Sequence, residues 1–449
     1  MKRFSGLQFG VLAMTLLACV INQRSILILA AEPGHGKPNV VFILSDDQGW
    51  ADYGFMGHEH ITTPNLDALA NEGLLYERGY VTAPLCRPSL ASLVTGLYPH
   101  QTGIRGNDPL MPEGGDRKVR KRLFAQLRNR MTAPLHDQPS FVRSLKDHGY
   151  ATLQTGKWWE QDPKDHGFTH AMTHGDEMRG GRHGDRGLDI GRKTMEPIYD
   201  FVEEATRNDQ PFFIWYGVFL PHAPHNAPLR FYEKYKDLAP DEPTAWYWAN
   251  IGWFDETCGQ IVSHLKSKGL YENTIFVYTC DNGWVPNPDR RNGFIRSKRE
   301  PVEAGIRTPI FVTHVGEIIP QRDSTTLASN IDIATTILKA CGVAPPSEMN
   351  GLDLRQPQLL AKRDRVFVDV YEHDSDLDQV DDLENGLVAR VVIDGWHKLI
   401  SRLDDFELYD LESDPDDRRN LSAEQPDRVQ VMSRILDEWI HQTPAFVRK

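Results

Sequence analysis

The sequence predicts an α/β protein with a large, mostly parallel sheet between layers of helices, followed by a smaller antiparallel sheet and a packing helix. Between residues 38 and 344, short apolar runs alternate with amphipathic stretches, as parallel strands alternate with crossover helices. From residue 345 to 449 the pattern changes to closely spaced short strands and one helix, which predicts a C-terminal α+β subdomain.

The elements follow in chain order. Apolar runs predict buried strands of the large sheet at residues 39–44, 212–216, 275–278 and 310–312. Helices are predicted at residues 65–72, where Thr63-Pro64 caps and opens the helix, and at 193–207 and 245–266. The small sheet is predicted from residues 366–370, 387–393, 398–401 and 406–411, with its helix at 426–440.

The N-terminus predicts export to the periplasm or the extracellular space. Lys2 and Arg3 precede an apolar stretch, and Ala30-Ala31 offers a cleavage site, so residues 1–31 are interpreted as a signal peptide. Cys19 leaves a lipid anchor open, and no segment predicts an integral membrane span. The formal net charge of −13 argues against nucleic acid as a partner.

Acidic residues follow two of the predicted strands. Asp46-Asp47 and Asp281-Asn282 come directly after a strand, and Gly283 is expected to turn the backbone sharply there. In parallel sheets ligands bind beyond the carboxyl ends of the strands. Three carboxylates and an amide oxygen without His or Cys favour Ca²⁺, with Mg²⁺ second. A turn or a helix cap is the other interpretation of such a pair.

Cys86 begins the segment Cys86-Arg-Pro-Ser-Leu-Ala-Ser-Leu-Val-Thr-Gly96. Pro88 suits the first turn of a helix and Gly96 its end, so Cys86 is placed at a helix N-terminus, where the macrodipole favours an anion. A buried cysteine beside a helix start stays open, and buried free thiols are expected for Cys258, Cys280 and Cys341.

Taken together, these segments resemble the formylglycine-dependent sulfatases of the alkaline phosphatase superfamily. The resemblance extends over residues 38–440 and rests on these ordered blocks: 38–47, 64–67, 86–96, 155–158, 221–222, 281–283, 298 with 303–309, and 407–415.

The resemblance implies a sulfuric ester hydrolase and assigns its residues. Asp46, Asp47, Asp281 and Asn282 match the metal ligands. Cys86 matches the residue that a formylglycine-generating enzyme oxidises during export, and the hydrated formylglycine attacks the sulfur of the ester. Lys157 and Lys298 match the cationic clamps on sulfate, and His222 matches the histidine near the leaving oxygen or the sulfate.

Two motifs depart from the family pattern, at three positions in all. Leu90 stands where the family's Cys-x-Pro-x-Arg has arginine, and Arg87, which replaces a small residue, is a candidate to reach into the site in its place. Trp159 replaces the histidine of Gly-Lys-Trp-His, and indole does not exchange protons at neutral pH. Three outcomes stay open: maturation by a tolerant system, which we favour, an unmodified thiolate nucleophile, and a weak or inactive homologue that binds a sulfated ligand.

A rival function is a phosphoesterase or phosphonate hydrolase of the same superfamily, whose usual Asp-His pair suits a transition metal. The substrate expected here is a sulfated carbohydrate. Residues 117–130 hold seven Lys or Arg and no acid, which fits either a solvated helix face or a rim that attracts a polyanion. Residues 374–384 are interpreted as a solvated acidic loop.

Overall fold

The computed structural model describes residues 36–181, 183–379, 381–403 and 405–445. The predicted signal peptide and Cys19 lie outside these residues. Among the helices described, none combines the length and the apolar character that crossing a bilayer requires.

The strands alternate with helices through most of the chain. The strands are β1 (Asn39–Ser45), β2 (Leu74–Tyr80), β3 (Asp108–Pro109), β4 (Ala151–Gly156), β5 (His170–Ala171), β6 (Phe212–Gly217), β7 (Thr274–Cys280), β8 (Arg307–Thr313), β9 (Gln321–Ser329), β10 (Arg365–Tyr371), β11 (Asp374–Ser375), β12 (Leu387–Asp394), β13 (His397–Arg402) and β14 (Asp405–Asp410). The helices are α1 (Pro64–Asn71), α2 (Cys86–Thr95), α3 (Pro99–Thr102), α4 (Arg117–Thr132), α5 (Phe141–Asp147), α6 (Glu196–Arg207), α7 (Leu229–Tyr235), α8 (Glu242–Ser267), α9 (Glu303–Ile306), α10 (Asp332–Ala340), α11 (Pro357–Leu360) and α12 (Pro426–Gln442).

The large sheet has the order β5-β4-β6-β1-β7-β8-β2-β9 within the described residues. Only β8 runs antiparallel to its neighbours there, so the predicted mostly parallel sheet is confirmed. Side chains alternate across β1: Val40 and Phe42 belong to one apolar cluster, and Val41 and Ile43 belong to another. Helices α2, α5 and α10 pack in the first cluster and α1, α6 and α8 in the second, so both faces of the sheet are covered.

The C-terminal sheet has the order β10-β12-β13-β14 and is antiparallel, and α12 packs on it, as predicted. Met432, Leu436 and Trp439 of α12 lie against Val392 and Leu399. The other face of this sheet packs against residues of the large sheet, including Tyr80 of β2 and Leu327 of β9.

One local prediction is wrong, and another misses a short strand. Thr63 makes no side-chain cap on α1. Instead the Asp255 carboxylate accepts hydrogen bonds from the backbone of Asn65 and Leu66, because α8 brings a buried acid to the start of the helix. The acidic stretch is solvated as predicted, since Asp378, Asp381 and Asp382 are exposed, but Asp374 and Ser375 form β11, a short parallel ladder with β3.

Candidate active site

The two acidic segments meet at one edge of the large sheet. β1 and β7 are adjacent and parallel, with Ser45 opposite Cys280, so the residues that follow each strand emerge side by side. Ligand atoms of Asp46, Asp47, Cys86 and Asp281 all lie within 4.8 Å of one another. The convergence expected from the sequence is therefore present in the fold.

Gly283 is needed for a different reason from the one predicted. Its φ is not in the left-handed region, but a Cβ there would lie 2.0 Å from the carbonyl oxygen of Ala304. Close packing against the segment before β8, rather than a sharp turn, demands glycine after Asn282.

Four buried oxygens in this cluster have no hydrogen-bond partner among the described residues. They are Oδ2 of Asp46, Oδ2 of Asp47, Oδ2 of Asp281 and Oδ1 of Asn282. Buried polar atoms in proteins are nearly always hydrogen-bonded, so four unpartnered acceptors at the ends of two adjacent strands are suited to bind a cation. Oxygen donors of this kind are those that Ca²⁺ and Mg²⁺ prefer, and the residues therefore fit the predicted metal.

Two buried lysines flank the carboxylates. Lys157, directly after β4, places Nζ 2.7 Å from Asp46 Oδ1 and 3.5 Å from Asp281 Oδ2. Lys298 places Nζ 2.6 Å from Asp47 Oδ1 and 3.0 Å from Cys86 Sγ. Burial alone would lower the pKa of either lysine, but the carboxylates outweigh it and raise the pKa of both, so both ammonium groups stay charged.

The carboxylates still exceed the lysines by one charge. Burial, together with the nearby charge of Asp46, raises the pKa of Asp281 well above its ordinary value. Three carboxylates against two ammonium groups leave net negative charge, whereas a bound divalent cation would make the pocket positive. The same pocket would then attract an anion such as sulfate.

Cys86 is the first residue of α2, as predicted, and is 1% exposed. A residue outside the helix caps its N-terminus, because the backbone N–H of Arg87 donates to Asn107 Oδ1 at 2.9 Å. Burial raises the pKa of the Cys86 thiol to about 12, despite the two lysines beside it. Without a cation in the pocket, the neutral thiol is therefore favoured over the nucleophilic thiolate.

His222 lies in the loop after β6, where its Nε2 is 3.4 Å from Asp47 Oδ2. Its Nδ1 lies 2.6 Å from the carbonyl oxygen of Ala223, which can only accept, so Nδ1 carries the proton. Burial lowers the pKa of His222 to about 3. The neutral ring therefore presents an unprotonated Nε2 to the Asp47 carboxylate. Both atoms are hydrogen-bond acceptors, and no proton lies between them.

Asn250 and Arg192 fix the His222 loop, and sequence reasoning missed both. Asn250 on α8 is fully buried and donates to the carbonyls of Pro221 and Pro224, while its Oδ1 accepts from Ala227 N at 3.0 Å. Arg192 donates to the carbonyl of His222 at 2.8 Å. An asparagine inside the aromatic, apolar run of α8 was the one available signal, because such a residue needs buried partners.

The hypothesis that Arg87 substitutes for the missing arginine is wrong. Its guanidinium is 0% exposed and forms a two-fold ion pair with Glu160, with both N···O distances 2.6 Å. It also donates to Thr132 Oγ1 at 2.9 Å. A buried charge is stable only with a partner of opposite charge. The Glu160 carboxylate, three residues after Lys157, accepts two parallel hydrogen bonds from the guanidinium.

The other two departures are accommodated by packing. Leu90 is 2% exposed and belongs to the apolar cluster under the large sheet. Trp159 is also buried, and its ring centroid lies 5.8 Å from Lys157 Nζ and 4.5 Å from the His183 ring. Indole at this position thus replaces an ionisable group by an apolar wall beside the lysine.

The basic segment forms α4. Arg117, Lys118 and Arg122 are exposed, as expected for a solvated helix face. Arg128 departs from this picture, because it is 1% exposed and its Nε lies 2.8 Å from Glu177 Oε1. The predicted rim for a polyanion stays a prediction.

Comparisons with known proteins agree with this geometry. A family model described as Sulfatase matches residues 38–343, and one described as N-sulphoglucosamine sulphohydrolase, C-terminal, matches residues 293–443. The chain is 30% identical over 392 residues to the N-acetylgalactosamine-6-sulfatase of Canis lupus familiaris, a match that covers 76% of this chain and 70% of that protein. It is 25% identical over 406 residues to an ulvan-active sulfatase of Formosa agariphila, with 80% and 73% covered.

Among solved structures, the fold is similar to that of a protein determined in complex with its substrate D-glucosamine-2-N,6-O-disulfate. The TM-score is 0.70 with 19% sequence identity, and the match covers 91% of this chain and 98% of the other. At this identity the likeness shows the shared fold.

Proposed function

The chain belongs to the sulfatase family, and on that premise we propose that it hydrolyses sulfate esters of carbohydrates with a nucleophile derived from Cys86 beside a divalent cation. The observation that carries this proposal is the set of four orphaned oxygens next to Cys86 and two buried lysines.

Asp46, Asp47, Asp281 and Asn282 would hold the cation, and we propose Ca²⁺ because all four donors are oxygens. When bound, the cation lowers the pKa of an attacking hydroxyl group and neutralises charge on the sulfate oxygens. Formylglycine made from Cys86 would supply that hydroxyl group in its hydrated form.

The lysines would bind the sulfate group. Lys298 Nζ, 3.0 Å from Cys86 Sγ, is within reach of any group that Cys86 attacks. Lys157 approaches from the end of β4 and forms ion pairs with Asp46 and Asp281. Fixed ammonium groups in a buried pocket stabilise negative charge that grows on the equatorial and bridging oxygens, since they need no reorganisation during the reaction.

His222 Nε2 would take up the proton that the attacking hydroxyl group loses and pass it to the leaving oxygen of the alcohol. Its Nδ1 is committed to the Ala223 carbonyl, so Nε2 is the atom that faces the reaction. The backbone clamp by Asn250 and Arg192 fixes this orientation. With Trp159 in place of a second histidine, proton transfer in this pocket depends on His222.

A carbohydrate substrate is supported by the relatives. The similar enzymes are named for N-acetylgalactosamine 6-sulfate and for ulvan, and the similar structure holds a sulfated glucosamine. Export of the protein, proposed from residues 1–31, would place it where such polymers occur.

The decisive experiment is mass spectrometry of the Cys86 peptide from exported protein, combined with an activity assay. We expect a peptide lighter by the replacement of the thiol with an aldehyde, and hydrolysis of sulfated sugars that Cys86→Ala abolishes. Cys341→Ala, at a buried cysteine distant from the cluster, is the matched control. A plain thiol together with no turnover would overturn the proposal, and faster hydrolysis of aryl phosphate than of aryl sulfate would favour the phosphoesterase.

A further inference from the structure

His225 is a buried histidine that the proposed chemistry does not use. It lies three residues after His222 and is 1% exposed, yet neither ring nitrogen has a hydrogen-bond partner among the described residues. Only its backbone is held, since its N–H donates to Asn292 Oδ1 at 2.7 Å and its carbonyl accepts from Arg291. A buried imidazole with both nitrogens unsatisfied is exceptional in a folded protein.

The ring lies beside the proposed sulfate pocket. Its centroid is 5.5 Å from that of Tyr247 and 6.1 Å from that of Trp284. Trp284 follows the ligand Asn282 by two residues, and its ring lies 5.6 Å from Lys298 Nζ. Trp284 therefore lies between His225 and Lys298, next to the proposed site.

The position of the ring is fixed from both ends of its loop. Asn250 binds the backbone on either side of it, at the carbonyl of Pro224 and the N–H of Ala227. A group that is held this firmly and still unpaired is arranged for a partner that the protein alone does not supply.

The chemistry of that partner follows from the protonation of the ring. Burial lowers the pKa of His225 to about 3, so the imidazole is neutral at physiological pH. A neutral imidazole offers one N–H donor and one acceptor. It complements a hydroxyl group, which also donates and accepts, better than a sulfate oxygen, which only accepts.

We propose that His225 binds a hydroxyl group of the substrate adjacent to the sulfate ester, and so selects carbohydrate sulfates that carry such a hydroxyl. This inference rests on the proposed function and adds a specificity determinant to it. A buried water molecule that bridges both nitrogens is the competing explanation, and it would leave substrate selection unchanged.

The test combines a protein change with a substrate change. His225→Phe keeps the ring and removes both nitrogens, and His225→Gln keeps one donor and one acceptor. His264→Phe is the matched control, because His264 also has an unpartnered nitrogen but lies far along α8, stacked on Tyr199. The probes are O-sulfates of galactose and N-acetylgalactosamine, each paired with an analogue that lacks the hydroxyl next to the sulfate.

For the sulfated sugar that wild type hydrolyses, removal of the neighbouring hydroxyl should lower kcat/KM about tenfold or more, the factor expected for one lost hydrogen bond to a buried group. In His225→Phe, removal of the same hydroxyl should change kcat/KM less than about twofold. The change in His225→Gln should lie between those of His225→Phe and wild type, and His264→Phe should behave like wild type. Discrimination that survives in a folded His225→Phe, or that wild type lacks, would overturn the inference. Absence of turnover of every sulfated sugar by wild type would instead count against the proposed function.

Discussion

Replacing Arg87 with methionine should destabilise the protein strongly, because it leaves the buried Glu160 carboxylate without its charged partner. The Arg87 and Glu160 side chains are 0% and 6% exposed and share two short charge-assisted hydrogen bonds. After the change, Glu160 keeps one described hydrogen bond, from Thr132 Oγ1 at 3.2 Å.

The magnitude follows from what Glu160 loses. Breaking a buried ion pair by removing one partner costs about 3–5 kcal/mol, and two hydrogen bonds to a charged group at about 1.5–3 kcal/mol each give a similar cost of about 3–6 kcal/mol. Arg87→Met/Glu160→Met removes both charges and replaces them with unbranched apolar side chains, so it should recover most of the lost stability. The pair at Arg419 and Glu424 is the control, since it is exposed and Arg419→Met should cost less than about 1 kcal/mol.

Urea unfolding, monitored by tryptophan fluorescence, measures these differences in the free energy of unfolding, provided that its dependence on urea concentration is the same for all variants. The expected order of stability is wild type, double variant close behind, and Arg87→Met well below. If the double variant were as unstable as Arg87→Met, the loss would come from packing around α2 and not from an unpaired charge, and the reasoning would be refuted.

Three further outcomes are expected. Adding Ca²⁺ to chelator-treated protein should raise the melting temperature, with about 2.7 kcal/mol of stabilisation at a hundredfold excess over Kd. Asp281→Asn should remove this effect, and an unchanged melting curve in wild type would contradict the metal site. Lys298→Met should lower kcat on sulfate esters by about a hundredfold or more while the protein stays folded, and a change in KM alone would exclude a role in stabilising the transition state. Burial opposes ionisation of Glu160, but Arg87 keeps its pKa below the ordinary 4.5. Its contribution to stability should therefore be complete above that pH and vanish as the pH falls through the lower folded value, whereas Glu160→Gln should show a flatter acid limb in the same unfolding assay.

The sequence alone was sufficient for the architecture and for most of the proposed site. Continuous apolar runs mark strands that are buried on both faces, and polar residues at their ends mark the edge where ligands bind, which is how Asp46 and Asp281 were found. The helix that starts at Cys86 was predicted because Pro88 and Gly96 carry their own backbone preferences. These features are local, so a single segment encodes each of them.

Some features left no local signal. β4 contains Thr152, Gln154 and Thr155, all buried, so its composition does not resemble a core strand and only the pairing with β6 identifies it. The resemblance placed Lys157 in the site, but the physical reason for its position is that pairing.

Tertiary structure decided which segments are neighbours and where buried charges point. β1 and β7 are adjacent although more than two hundred residues separate them, and strand order depends on packing between helices that no single segment specifies. Arg87 turns away from the metal ligands because Glu160, 73 positions further along the chain, offers two oxygens in a buried pocket. A charge that leaves water must take the best partner within reach, and only the folded chain determines which partner that is.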